Sequence, residues 1–390
     1  MARVNGHVIT VNDFERSYVY DLMRSGANDT EEARRAHLDR LIDDHLLAKE
    51  AIRRGLGADS IARARESLAL KTALGARYYE RELLQKLPPL TDAEIRLAYV
   101  KYKQPVIARH LYYRNELDAQ AAYARLEAGR PFLDEAMDCF QTSDSMAGYL
   151  GQMGYFQVDD AFAEAAFDLD VGAYSAPVRS RQGWHIIHVE DRQHAPVLTE
   201  TDFQTRKNGI ASMMRLRRRR LEGDRYVRGF MEGLGVEVYS DGIRALRATL
   251  NRLEQRVGRG AIDIALEQEE APIAFSPSTP LATYTQDGRK HVFTAFDYIF
   301  WLPALPSGEV SQRTAVSVGR ALRNEAFARA GEAANLAGSD EVQVDVENER
   351  HAFMAARLRA QGMDSALTAT LHHTAIVQVD TVLFKQIMAL

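Results

Sequence analysis

Histidines and carboxylates in the middle of the chain are the residues whose spacing first suggests chemistry. His188, Asp191 and His194 have the loose spacing of a metal site, but no further ligand is evident beside them. The three glycines within residues 148–154 do not form the G-x-G-x-x-G motif of a dinucleotide site, and Walker and Gly-x-Ser-x-Gly motifs are absent. We therefore expect neither a metal ion nor a cofactor.

Composition narrows the classes of protein further. Cys139 is the only cysteine, which excludes an intrachain disulfide and a cysteine-based zinc cluster. Lys and Arg total 49 against 54 Asp and Glu, and the formal charge of −5 argues against a dedicated nucleic-acid-binding protein. A length of 390 residues suggests two or three domains at about 150 residues each.

The elements before residue 105 are predicted to be a hairpin followed by helices. Asn5-Gly6 favours a type I′ hairpin turn, because that turn needs positive φ at both central residues. Thr91-x-x-Glu94 is a capping box that begins a helix ending near Lys103. Apolar periodicity predicts three helices between these two motifs, over residues 11–25, 31–54 and 60–86.

The middle segment changes to a mixed pattern. Its order of strand, helix, glycine loop, helix and strand favours a small α+β domain. The predicted elements are a strand over 106–113, a helix over 118–128, a tight loop at the glycines of 148–154, a helix over 160–168 and a strand over 184–190. Alternation in the last strand places His185 on the same face as Ile187 and Val189. A lone strand histidine is more often a core residue than a catalytic one.

A basic run lies in the helix predicted over 199–234. Residues 215–220 contain five arginines, which would suit a nucleic-acid-binding segment. Apolar residues are interspersed with this basic run, namely Met213, Met214 and Leu216. We interpret the run as a solvated helix face.

The last third resembles a modified copy of the first, which suggests a duplication. Three features recur: Asp287-Gly288 for Asn5-Gly6, Thr294-x-x-Asp297 for Thr10-x-x-Asp13, and residues 321–336 for residues 41–56. Three prolines within 271–280 indicate a linker or exposed loop between the copies.

An ordered set of motifs over residues 105–192 resembles the parvulin family of peptidyl-prolyl cis–trans isomerases. No motif is specific alone, but together they follow the order of the family. They are Ala108-Arg109-His110-Leu111, Gly151-Gln152-Met153-Gly154-Tyr155-Phe156, Phe162-x-x-Ala165-Ala166-Phe167, Val171-Gly172-x-x-Ser175-x-Pro177-Val178 and Gly183-Trp184-His185-Ile186-Ile187.

The resemblance implies a site. The paired histidines of the family fall on His110 and His185, its central Cys-or-Asp position on Asp144 and its hydroxyl on Ser180. Its pocket for the proline ring falls on Met153, Phe156 and Phe162. Two departures weaken the match: Gln152 replaces a common aspartate, and the loop between Phe156 and Phe162 is short.

The chemistry of this site needs no nucleophile. Rotation about an X-Pro bond has a barrier of about 18–20 kcal/mol, which comes from amide resonance. An apolar cup that grips the proline ring and excludes water favours the twisted amide, and positioned hydrogen bonds supply the electrostatic part. No basic cluster follows the first strand, so we expect unphosphorylated substrates.

The flanks look like the SurA-like and PrsA-like foldases of bacterial envelopes, over roughly residues 3–240. This resemblance implies an α+β protein in which a parvulin-like domain of residues 103–194 is inserted into a mainly helical chaperone domain of residues 1–102 and 195–240. Residues 241–390 would form a second mainly helical domain, a degenerate copy of the first. No signal peptide or membrane span is visible. The family nevertheless implies a periplasmic or envelope protein, soluble or lipid-anchored, whose signal segment lies outside this sequence.

The resemblance thus predicts a peptidyl-prolyl isomerase and chaperone that acts on unfolded client polypeptides containing X-Pro bonds, with no nucleic-acid partner. Two alternatives stay open. The insert could be weakly active or inactive and serve only as a client-docking module, which the short loop and Gln152 favour. The duplicated C-terminal region could instead assemble the protein, for example as a homodimer.

Overall fold

The computed structural model describes residues 1–11, 14–15, 17–18, 22, 28–193, 199–258, 276–362 and 365–388. Contacts divide the chain into two compact units, one of Met1–Glu82 with Leu234–Leu390 and one of Leu83–Gly233. Residues 271–275 of the linker predicted over 271–280 lie outside the described residues, as does His194, and the helix predicted over 11–25 is described only in part.

The middle unit is an antiparallel sheet with helices on both faces, which bears out the predicted α+β class. Its elements are α3 (Asp92–Lys103), β3 (Val106–Tyr113), α4 (Glu116–Glu127), α5 (Phe132–Cys139), β4 (Tyr149–Met153), α6 (Asp160–Asp168), β5 (Val178–Arg179), β6 (Trp184–Arg192) and α7 (Glu200–Gly233). The sheet order is β4-β3-β6-β5. Three elements depart from the prediction, one of them the short strand β5, which has no predicted counterpart. Residues 149–153 form a strand where a loop is predicted, and α5 has no predicted counterpart.

Helices α3 and α7 belong to this unit, and the unit boundaries therefore differ from the predicted domain boundaries. Ile95 and Tyr99 of α3 and Phe203 of α7 share one buried cluster with strand residues Val106 and Val189. Burial of this apolar surface draws both helices onto the sheet. The capping box at Thr91 is formed as predicted.

The basic run of α7 does not form a uniformly solvated face. Arg217 is 2% exposed, so the prediction of a solvated face is wrong for this residue, whereas Leu216 is 49% exposed. The Arg217 guanidinium contacts Asp160 at 3.1 Å, donates to the Tyr155 carbonyl and stacks on the Tyr155 ring at 3.8 Å. A buried cation requires such partners, and α6 supplies the carboxylates.

The other unit combines the two ends of the chain. Its first half contains β1 (Ala2–Val4), β2 (His7–Ile9), α1 (Glu31–Arg53), α2 (Ser60–Glu82) and a last strand, β7 (Glu237–Val238). Its second half contains α8 (Ser240–Val257), β8 (Pro280–Gln286), β9 (Arg289–Thr294), α9 (Ala295–Trp301), α10 (Ser307–Val310), α11 (Thr314–Ala333), α12 (Asp340–Ala360), α13 (Ser365–Thr374), β10 (Val377–Val379) and α14 (Thr381–Met388). None of the helices described in the chain has both the length and the apolar content for crossing a membrane.

The two halves of this unit exchange elements. Helix α1 packs on α12 and α2 packs on α11, so each long helix meets the other half. The last strand of each half likewise completes the hairpin of the other, since β7 pairs with β8 and β10 pairs with β1. Both hairpin turns have positive φ at the predicted pairs, Asn5-Gly6 and Asp287-Gly288. Neither half therefore buries its apolar faces alone.

Close packing of α2 on α11 depends on small residues. A Cβ atom added to Gly331 would lie 2.5 Å from the Leu74 carbonyl oxygen. Beside this crossing, Lys71 of α2 donates to the buried carboxylate of Glu325 at 2.7 Å, and that carboxylate also accepts from the indole of Trp301.

Gly331→Ala should therefore destabilise the unit, although alanine favours helix. We expect a loss of about 1–2 kcal/mol, because the overpacking at the Leu74 carbonyl outweighs the gain of roughly 1 kcal/mol in helix propensity. Gly319→Ala is the matched control, since it lies in the same helix with nothing within 4 Å of its added Cβ atom. Urea unfolding in a Trp184→Phe background leaves Trp301 as the reporter of this unit. A Gly331→Ala variant as stable as Gly319→Ala would contradict the packing described.

Candidate active site

A histidine pair lies at the centre of the middle sheet. His110 of β3 pairs with Ile187 of β6, and Tyr112 pairs with His185, so the two histidines are diagonal neighbours on one face. Their Nδ1 atoms are 3.0 Å apart, and the rings are nearly parallel at 15° with centroids 5.2 Å apart. The predicted pair is thus brought together, with His185 on the predicted face.

Ser180 extends the pair into a chain of hydrogen bonds. Its Oγ is 2.8 Å from His185 Nε2. The turn that holds it depends on Gly183, which has φ of +155° and whose added Cβ atom would lie 2.6 Å from the Tyr113 carbonyl oxygen. Ser180 closes this turn by donating its backbone N–H to the Gly183 carbonyl at 2.8 Å.

Burial keeps the pair uncharged at neutral pH. Desolvation, with a smaller effect of the His185 charge, lowers the pKa of His110 to about 4. Desolvation also lowers the pKa of His185, against the opposing charge of Asp159. Neutral imidazoles offer one donor and one acceptor each, which is what two facing Nδ1 atoms at 3.0 Å require.

Aromatic side chains surround the pair. Phe162 of α6 is nearly perpendicular to His185 at 5.3 Å and lies 6.1 Å from His110, while Phe140 is 5.6 Å from His110 and Tyr112 is 5.4 Å from His185. Phe140 and Tyr112 are absent from the predicted site. Tyr112 could have been found from the sequence, because it follows His110 at the spacing of two that keeps strand residues on one face.

The residues of the predicted proline pocket share one apolar cluster. Met153 and Phe162 are buried, and the half-buried Phe156 packs against them. Of the three, Phe162 contacts the histidine rings. Phe156 lies instead against Tyr155 at 4.9 Å and beneath the Arg217 guanidinium at 4.8 Å.

Asp144 is not brought to the histidines by any contact that the structure describes. Its side chain is exposed, and Oδ1 accepts a hydrogen bond from the Met146 backbone N–H at 2.9 Å. Its own N–H donates to Thr142 Oγ1 at 3.1 Å. These bonds make Asp144 a turn-capping residue here.

Cys139 lies on the rear of the histidine strand. Its Sγ donates to the Tyr112 carbonyl at 3.3 Å, and burial raises the pKa of the thiol. The thiol is therefore a packing group. Gln152 is exposed and accepts from Gln193 at 2.8 Å.

Comparison with known families identifies the domain that carries the pair. Residues 115–191 match the family model described as "Rotamase: PPIC-type PPIASE domain". The match includes Asp144, Ser180 and His185, and His110 lies just before it.

Curated relatives match a part of the chain. The foldase protein PrsA of Geobacillus kaustophilus is 32% identical over 127 residues, which are 31% of this chain and 45% of the relative. PrsA of Bacillus subtilis is 33% identical over 25% of this chain and 34% of its own length. The periplasmic chaperone PpiD of Haemophilus influenzae is 35% identical over 22% of this chain and 14% of its own length. The chain thus spans less than half of these relatives.

Solved structures give distant similarities. The crystal structure of PrsA from Bacillus anthracis covers 53% of this chain and 80% of that chain, with 17% identity and a TM-score of 0.26. A structure from Campylobacter jejuni, described as one of two SurA-like chaperones, covers 59% of this chain and 96% of that chain, with 20% identity and a TM-score of 0.22.

The low pKa of His110 is testable by NMR on the full chain with isotopically labelled histidine. The His110 ring signals, assigned through His110→Gln, should stay those of a neutral imidazole down to pH 5 and titrate at about 4. A histidine in an unstructured peptide titrates near 6.5. Between pH 6.5 and pH 4 the unfolded state therefore binds a proton at this residue and the folded state does not. The free energy of unfolding should consequently decrease as the pH falls from about 6.5 to about 4. Titration of the folded state near 6.5 would contradict a desolvated pair.

Proposed function

We propose that this protein is a foldase that isomerises X-Pro bonds in unfolded clients, with the PPIC-type peptidyl-prolyl isomerase domain of residues 115–191 as its catalytic part. One observation carries the proposal. A neutral histidine pair, in which His185 is buried and His110 half-buried, joins Ser180 on one side and faces the Phe162 ring on the other. All of these residues except His110 lie within the matched residues 115–191.

Each part of this arrangement suits rotation about a tertiary amide. Phe162, with Met153 beside it, offers an apolar surface for the proline ring, which disfavours the more polar planar amide when water is excluded. We assign two roles to His110 and His185: they keep this surface uncharged, and they hold Ser180 in position. Ser180 Oγ is the hydroxyl at the edge of the pair and the group we assign to hydrogen bonding with the substrate backbone.

The client class and location follow from the named relatives by analogy. Two of them are named as foldases and one as a periplasmic chaperone, so we place this protein in the bacterial cell envelope, soluble or lipid-anchored. We propose unphosphorylated, extended polypeptides as substrates. The predicted homodimer through the C-terminal region stays a prediction. The exchange of β7 and β10 within one chain supports an internal duplication.

His185→Gln should lower catalytic efficiency at least about tenfold, equivalent to about 1.4 kcal/mol of transition-state stabilisation. The substitution breaks the chain between Ser180 and His110. NMR exchange spectroscopy on an Ala-Pro peptide, catalysed by the full chain, measures this without an added protease.

His188→Gln is the matched control for that measurement. His188 lies on the same strand but the opposite face, where its ring stacks on Phe132 at 5.0 Å. It should retain activity within about twofold, since it touches neither the pair nor the pocket. Equal losses in the two variants, or no acceleration by the unsubstituted chain, would contradict the assignment of the site.

A second candidate function is client binding without significant isomerisation. The position of Asp144 favours it, because this residue faces solvent and caps a turn instead of contacting the histidines. In that case the domain would contribute an apolar docking surface, and the hydrogen-bond chain would serve its stability.

Suppression of aggregation separates binding from catalysis. We expect the full chain to slow aggregation of a reduced, unfolded client. His185→Gln should retain this effect within about twofold, because it leaves the apolar side chains Met153, Phe156 and Phe162 in place. Light scattering at fixed client concentration measures it. Parallel loss of isomerisation and suppression in a correctly folded His185→Gln variant would show that the two activities share one site.

A further inference from the structure

Three histidines meet in the unit formed by the chain ends, outside the candidate active site. His7 comes from β2, His45 from α1 and His351 from α12. His7 stacks on His45 with centroids 4.3 Å apart, and His351 meets His45 edge-on at 4.6 Å. One nitrogen from each ring can be chosen so that all three lie within 4.8 Å of one another.

One buried polar atom of this histidine cluster has no partner among the described residues. His45 is 3% exposed, and its Nε2 has no hydrogen-bond partner among the described residues. Its Nδ1 faces the Nδ1 of His351 at 3.3 Å, a long distance for a hydrogen bond between rings. A buried imidazole without partners costs stability unless another species binds its lone pair.

The spacing fits ligands around a metal ion. Tetrahedral zinc with Zn–N bonds of about 2.0–2.1 Å separates its ligand nitrogens by about 3.3–3.4 Å. The distance between His45 Nδ1 and His351 Nδ1 falls at this value. Glu347 lies one turn before His351, with Oε1 3.7 Å from both His351 Nε2 and His7 Nδ1. A carboxylate on the far nitrogen favours the tautomer whose Nδ1 lone pair faces His45.

We propose that His7, His45 and His351 bind a divalent transition-metal ion of the zinc class, which fastens the N-terminal hairpin to the long helices α1 and α12. Imidazole is a ligand of choice for such ions, whereas Mg²⁺ and Ca²⁺ prefer oxygen. His7 is half-buried, which leaves a route for the ion and room for a water molecule at a fourth position.

Charge around the histidine cluster is mixed. Glu347 attracts a cation, while Lys49 and Arg350 disfavour added positive charge. Burial lowers the pKa of His45 to about 3 and lowers that of His351, so both rings present lone pairs at neutral pH. A metal ion here would join residues separated by 38 and 306 positions in the sequence. Because the fold alone brings these ligands together, the free energy of binding would stabilise the folded state.

The sequence expectation of no metal is revised by this proposal. The pattern considered there was the local spacing of His188, Asp191 and His194. The three histidines now proposed have no local motif, because each comes from a different element and the fold alone brings them together.

Binding is tested on the tag-free full chain with ZnCl₂ in competition with a chromophoric chelator, and with CoCl₂ by visible absorption. We expect one ion per chain, a tetrahedral Co²⁺ spectrum and a raised melting temperature in the presence of metal. His7→Gln, His45→Gln and His351→Gln should each weaken binding at least about tenfold. His373→Gln, an exposed histidine of the same unit, should leave it unchanged.

If a variant at a buried histidine misfolds, the Co²⁺ spectrum of the unsubstituted chain still decides whether the site binds metal. His7→Gln disturbs the fold less than the other two substitutions, because His7 is only half-buried. Absence of stoichiometric binding to the folded, unsubstituted chain would overturn the proposal. So would one bound ion whose affinity is the same in all three histidine variants. Neither outcome bears on the isomerase site, which lies in the other unit.

Discussion

The candidate active site depends on one extra residue in a strand. Between β3 and β6 the register shifts, since Ile107 pairs with Asp191 but Ala108 pairs with Val189. Without that shift His110 would pair with His188, and the period of two would put His185 on the opposite face. The skipped residue, Glu190, accepts from the buried Arg109 at 2.8 Å, so an ion pair holds the bulge that aligns the histidines.

Arg109 also explains why the loop before β4 could not be predicted from position alone. Its guanidinium donates to the carbonyls of Ser145 and Ala147, and this contact sets the path of the chain around Asp144. Counting residues back from Gly151 identifies Asp144 but not the direction of its side chain. The two histidine strands and the face that His185 occupies were predictable because they follow local periodicity. The bulge depends on a pairing partner 81 positions away in sequence and has no local signal.

The same distinction applies to the helices and to the last third. Five arginines in six positions indicate a solvated face, and for most residues that inference is sound. Arg217 departs from it because α6 presents Asp160 and Glu164 at the one position where the helix turns inward. The repeated turns and caps were likewise predictable, since Asp287-Gly288 and Thr294-x-x-Asp297 are local motifs. The exchange of strands and helices between the halves was not predictable. The same sequence pattern allows the strands and helices of one half to pair with each other or with those of the other half.

The two histidine clusters show why distance alone does not assign chemistry. In the candidate active site the facing Nδ1 atoms are 3.0 Å apart, and in the other unit they are 3.3 Å apart. The difference lies in the outer nitrogens. His185 Nε2 meets the Ser180 hydroxyl, which both donates and accepts, so neutral rings complete a hydrogen-bonded chain without any ion. His45 Nε2 has no partner in the described part of the chain, and a third ring stacks against it. A neutral imidazole satisfied by a hydroxyl suits an uncharged pocket, whereas three imidazoles gathered from three elements, one of them with an unpartnered buried nitrogen, suit a cation.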